Sequence, residues 1–156
     1  MSGEAVTVST VVTAAPAVAF EVFYGEVDRW WRRNPKYRQR PDSIVRFVER
    51  PTRRLVEVTV DGTIDMGDVT RWEPPNVLEM QWHMPVGVEP AAINTVEVRF
   101  EAVEGGTRVT ITHTGWLDLA AGGAASSVIG LWWSNPLVDY HAACRQAESP
   151  AGDVSP

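Results

Sequence analysis

The sequence predicts an α+β domain: a curled, antiparallel, seven-stranded sheet wrapped around one long C-terminal helix, with two short helices after the first strand. Three observations predict it. Residues 125–146 read ASSVIGLWWSNPLVDYHAACRQ, and Ile129, Trp133, Leu137, Tyr140 and Cys144 recur at spacings of three and four, one face of a helix. Upstream, six strand-like runs follow one another between tight-turn signals. Each has an apolar face to cover, and the C-terminal segment is the only long candidate to cover it.

Taken in order, Val6, Val8, Thr10 and Val12 form the inward side of a first strand. Ala14, Ala15 and Pro16 open a helix with Phe20, Phe23 and Val27 on one face, and Gly25 divides it into two short helices. Residues 34–42, with two prolines and mostly cationic, read as an exposed loop. The six strands are expected at 43–49, 54–60, 63–72, 77–84, 94–103 and 107–114. Asp61-Gly62 marks a hairpin, Gly67 a bulge, and residues 85–92 a longer loop. Val96, Val98 and Phe100 point inward on one strand, and Val109, Ile111 and His113 on the next. The first strand is expected to pair with the last. Pro136 lacks a backbone donor and crowds the carbonyl four residues back, so a break or kink is expected near Ser134 to Pro136, with Trp133 and Leu137 both facing the sheet.

Composition bounds the function. A chain of 156 residues suits one domain, which at that size buries roughly 70% of its unfolded surface. The domain is expected over residues 5–148, with residues 1–4 frayed and residues 149–156 a disordered tail. No apolar run approaches the roughly 20 residues of a membrane span. No secretory leader pattern opens the sequence, and Cys144 is the sole cysteine, so a cytoplasmic location is expected. A net charge of -6 argues against nucleic-acid binding. The charge is uneven, however. Arg29, Arg32, Arg33, Lys36, Arg38, Arg40, Arg46, Arg50, Arg53 and Arg54 cluster with only Asp42 and Glu49 among them. That stretch reads either as a rim for an acidic partner or anionic ligand group, or as a solvated face that balances an acidic protein.

The pieces, in order, resemble the START/Bet v 1-like helix-grip superfamily (SRPBCC type). Within it they are most similar to the branch of the C-terminal domain of the activator of the heat-shock protein 90 ATPase. The resemblance rests on Phe20 and Phe23 after the first strand, Trp30-Trp31, Gly67 and Val69, the Glu73-Pro74-Pro75 turn before Leu78 and Trp82, Thr95 to Phe100, Gly106-Thr107-Arg108-Val109, His113 with Gly115-Trp116, and Trp133, Leu137 and Tyr140. It implies a helix-grip fold and, in that superfamily, a carrier, sensor or resistance protein, a polyketide cyclase or aromatase-like enzyme, or a co-chaperone-like protein-binding module.

Seven tryptophans are many for this length. A helix laid over a curled sheet is expected to leave an apolar cavity for a lipid-like or aromatic, polyketide-like molecule. Its candidate walls are Trp30, Trp31, Met66, Met80, Trp82, Phe100, Ile111, His113, Trp116, Trp133, Leu137 and Tyr140. Singly, each apolar one also reads as ordinary core. His113 lies on an inward strand face, where a buried imidazole needs a partner and can exchange a proton with a ligand. The three histidines are scattered and lack a cysteine partner, so no metal and no cofactor is expected. No phosphate loop, nucleophile elbow or Cys/His pair is present, and Glu57, Asp65, Asp68 and Tyr140 are acid–base candidates only if buried. Binding is therefore favoured over catalysis. The stretch from Leu119 to Leu131 reads as a lid, a dimer surface or a linker, and both monomer and homodimer fit.

Overall fold

The computed structural model describes residues 5–84, 90–116 and 124–148; the side chains of residues 90–92, 116, 124–126 and 148 fall outside that description. The elements are β1 (Val6–Val12), α1 (Pro16–Gly25), α2 (Val27–Trp30), β2 (Ile44–Val48), β3 (Arg54–Thr59), β4 (Gly62–Glu73), β5 (Val77–Trp82), β6 (Pro90–Val103), β7 (Gly106–Trp116) and α3 (Ala124–Glu148). One antiparallel sheet runs in the order β1-β7-β6-β5-β4-β3-β2. The first strand closes on the last, with Val6 opposite His113 and Val12 opposite Thr107. This is the helix-grip arrangement, with α1, α2 and α3 against the inner face.

Alternation explains the strand faces. Val96, Val98 and Phe100 are buried on β6, and Val109, Ile111 and His113 on β7. Register departs from regularity in β4. Leu55 faces Gly67 while Val56 faces Asp65, so Met66 is the extra residue of a bulge, one position before the glycine expected to mark it. β6 begins at Pro90, inside the stretch expected to be a loop, and β5 ends at Trp82, before Met84.

Two expectations are corrected. Residues 34–42 are not an exposed loop throughout, because Tyr37 and Arg38 are buried within them. Arg38 spends all five guanidinium N–H groups inside the protein. They go to Arg32 O (3.1 Å), Asp28 Oδ1 (2.7 Å), Ser43 O (2.8 Å), Asp28 O (3.1 Å) and Trp31 O (2.7 Å). Burial raises the Asp28 carboxyl, but bonds from the Val45 N–H and the Arg38 guanidinium outweigh it and hold it below the usual carboxylate range. Glu57, buried on β3, accepts the backbone N–H groups of Gln39 (2.8 and 2.9 Å) and Arg40 (3.1 Å), which fastens the same segment to the sheet.

The second correction concerns the break at Pro136, one of the two outcomes expected there. α3 runs from Ala124 to Glu148 without a break. The carbonyl deprived of its helical donor by Pro136 belongs to Trp132, and the Tyr37 hydroxyl donates to it at 2.7 Å. The buried loop therefore supplies the hydrogen bond that the proline removes, and Trp133 and Leu137 both stay buried.

Candidate functional site

The interior beneath α3 has two ends. At one, α1 covers the sheet with aromatic rings. Phe20 lies 5.0 Å from Phe100 and 5.2 Å from Trp72 between centroids, and Phe23 lies 4.9 Å from Trp30 and 5.6 Å from Tyr140. The polar atoms here close on α1 itself: Trp30 Nε1–H donates to Val22 O (3.0 Å) and the Tyr140 hydroxyl to Ala19 O (2.7 Å). Burial pushes the Tyr140 phenol far above its ordinary range.

At the other end, around the close of β5, four indoles meet. Trp82 packs against Trp133 (5.4 Å), Trp31 (6.0 Å) and Trp132 (6.2 Å), and Trp132 against Tyr37 (4.4 Å). Set into this wall is a chain of buried polar groups. Trp133 Nε1–H donates to His113 Nδ1 at 3.0 Å. That acceptor role leaves the proton on Nε2, which donates to Asn94 Oδ1, and Asn94 Nδ2 donates to Trp82 O at 3.2 Å. Gly115 permits this seating: its φ is +87°, and a Cβ there would collide with the Ile93 carbonyl, so β7 and β6 approach closely beside Asn94. Burial lowers the His113 pKa to about 4, so the ring is neutral at physiological pH.

The indole N–H groups at this end are otherwise spoken for. Trp31 donates to Tyr37 O (2.9 Å) and Trp132 to Lys36 O (3.1 Å). Trp82 Nε1 is the exception: its residue is 3% exposed, and this N–H has no acceptor among the described residues.

The expected wall residues therefore divide. Trp31, Trp82, His113 and Trp133 come together at the β5 end, whereas Trp30, Phe100 and Tyr140 belong to the α1 end. Met66, Met80, Ile111 and Leu137 are buried in the shared core. The Trp116 side chain lies outside the described residues. Trp132, Tyr37 and Asn94 complete the β5 end and were not among the expected walls. Asn94 shares strand parity with Val96 and Val98, so alternation alone already faced it inward. Among the acid–base candidates, Glu57 and Tyr140 are buried but bonded, while Asp65 is exposed and Asp68 pairs with His83 near the surface at 3.0 Å. Among the described residues no group of three metal-ligating side chains exists.

Seven of the ten clustered cations are in ion pairs: Arg29–Glu26, Arg32–Asp139, Arg33–Asp28, Arg38–Asp28, Arg40–Asp61, Arg53–Glu49 and Arg54–Asp65. Arg53 also lies 3.9 Å over the Trp72 ring. Among the described residues only Lys36, Arg46 and Arg50 of the cluster lack an acidic partner, which favours the charge-balancing reading. No helix among the described residues is long and apolar enough to cross a membrane.

Comparison with known proteins places this geometry in a family. The family described as activator of Hsp90 ATPase homolog 1-like protein matches residues 13–127. Among solved structures, CalU16 from Micromonospora echinospora is 14% identical, with 94% of this chain and 79% of that one covered at a TM-score of 0.63. The AHSA1-like protein from Aeromonas hydrophila is 16% identical, with 94% and 96% covered at a TM-score of 0.61. A protein from Arthrobacter aurescens is 19% identical, with 94% and 87% covered at 0.59. At these identities the likeness establishes the fold. No curated protein matches the chain. The chain belongs to the family of activator of Hsp90 ATPase homolog 1-like proteins.

Proposed function

We propose that the protein binds one small, mostly apolar molecule between the sheet and α3, at the β5 end of the interior, and returns it unchanged, as a carrier, sensor or resistance protein does. The observation that carries this reading is the Trp133–His113–Asn94 chain buried within a tryptophan wall. Ligand sites join apolar walls to a few fixed polar groups. A packed core gains nothing from burying an imidazole, which costs free energy unless its partners are held in place. The acid–base candidates favour binding over turnover. Both His113 ring nitrogens are bonded, and Glu57 and Tyr140 are tied to the backbone. The lone cysteine, Cys144, is buried and fits a reducing, cytoplasmic setting.

Native mass spectrometry against the denatured mass tests this, on the protein as purified and after incubation with neutral aromatic ketones and fatty acids. One retained molecule, recovered with its mass unaltered, is the expected result. A retained molecule recovered with altered mass would make the protein a cyclase-type enzyme. No retained molecule would favour a protein-binding module, for which α3 offers exposed Val128, Leu131 and Val138.

A further inference from the structure

We infer that the ligand carries a neutral hydrogen-bond acceptor, a ketone, quinone or ether oxygen, which takes the Trp82 Nε1–H, and that anionic lipids are excluded from this site. The inference rests on the binding reading above and names the chemical class of its ligand.

The Trp82 N–H is a buried donor without an acceptor among the described residues, on a residue that is 3% exposed. Buried indole donors ordinarily find a partner, and one left without costs the desolvation of the group. Among the described residues none gives it an acceptor: the indole N–H groups of Trp31, Trp132 and Trp133 are themselves donors, and Asn94 Oδ1 and His113 Nδ1 are bonded to His113 and Trp133. A ligand oxygen supplies the acceptor that the described residues lack.

The charge of that oxygen follows from the cations. A carboxylate or phosphate buried here would need a counter-charge. His113 is neutral, with both nitrogens bonded within the protein. Arg38, buried behind Trp31, has each of its five N–H groups committed to Arg32, Asp28, Ser43 and Trp31. Lys36, whose carbonyl takes the Trp132 N–H, has an exposed side chain. The wall itself is four flat indoles, which suit an aromatic body rather than a single flexible chain.

Three matched probes separate these terms: acetylnaphthalene, ethylnaphthalene and naphthoate, which share one ring system and differ only in a neutral acceptor, no acceptor, or an anion. Calorimetric titration of the wild-type protein is expected to give acetylnaphthalene an affinity about tenfold above ethylnaphthalene, with naphthoate the weakest. Trp82→Phe, which removes the N–H and keeps an aromatic ring, is expected to abolish the preference for acetylnaphthalene over ethylnaphthalene while ethylnaphthalene still binds. Equal binding of acetylnaphthalene and ethylnaphthalene by the wild type, or tightest binding of naphthoate, overturns the inference and leaves the binding reading standing. So does a Trp82→Phe protein that keeps the preference. The wild-type comparison decides even if the variant does not fold. Binding of none of the three by the wild type overturns the binding reading and this inference with it.

Discussion

The two ends of the interior use the same aromatic vocabulary to opposite effect. At the α1 end, Phe20, Phe23, Trp30, Phe100 and Tyr140 pack ring on ring, and their polar atoms close on the nearest α1 carbonyls. At the β5 end, the rings enclose an imidazole and an amide held in fixed orientation, and one indole donor has no acceptor among the described residues. Aromatic content is alike at both ends and says little about function. The lesson lies in how the polar atoms are satisfied. A core satisfies them locally, while the proposed site fixes most of them and leaves one for its ligand.

The comparison breaks most readily at the α1 end. Phe23→Ala is expected to cost about 3–5 kcal/mol of stability by urea unfolding, from lost burial and a residual cavity. The fraction that folds should bind acetylnaphthalene as the wild type does. A large loss of affinity there would erase the distinction between the ends.

Acid sharpens it next. The His113 pKa is about 4 in the fold and about 6.5 when unfolded. Between those values the unfolded chain holds the extra proton, so stability rises with pH across the window. Its contribution is complete above pH 6.5 and is lost as pH falls toward 4, by about 3 kcal/mol in all. Urea titrations across that range should show the slope in the wild type and a flatter one in His113→Gln. Asp28 acts in the same direction lower down: its depressed carboxyl pKa stabilises the fold above the ordinary aspartate range and loses that contribution on further acidification.

Tyr37→Phe has a smaller expected effect, about 1 kcal/mol, because it removes the donor to the Trp132 carbonyl. In a Pro136→Ala background the restored helical N–H takes that carbonyl, and the Tyr37→Phe cost should shrink. An unchanged cost would mean that the hydroxyl does not stand in for the proline's missing donor. Smallest of all, Arg46→Gln and Arg50→Gln should change stability by no more than about 0.5 kcal/mol and leave acetylnaphthalene binding unaltered, since neither cation enters the β5 end.

Most of the fold was legible because periodicity reports burial. The strand faces of Val96 to Phe100 and Val109 to His113, the two short helices and the β1–β7 pairing follow from alternation, helical spacing and turn residues. The buried segment around Tyr37 and Arg38 was not, because irregular backbone has no period. Charge suggested exposure, whereas five internal bonds hold Arg38 inside. The unbroken α3 was hidden for the same reason: its remedy at Pro136 is Tyr37, which lies 95 residues before Trp132. In the candidate site, inward-facing His113 and Trp82 were readable, and Asn94 shared their signal. What no pattern could separate was Trp82 from Trp30, since only the hydrogen-bond partner of each indole distinguishes them.

The most direct test of the central claim is a proton–nitrogen correlation spectrum of the assigned indole N–H groups, recorded as acetylnaphthalene is added. The account predicts a large shift for Trp82, as its N–H gains an acceptor, a smaller one for Trp133, and none for Trp30. Shifts centred on Trp30, or a saturable titration that leaves the Trp82 resonance unmoved, would contradict it.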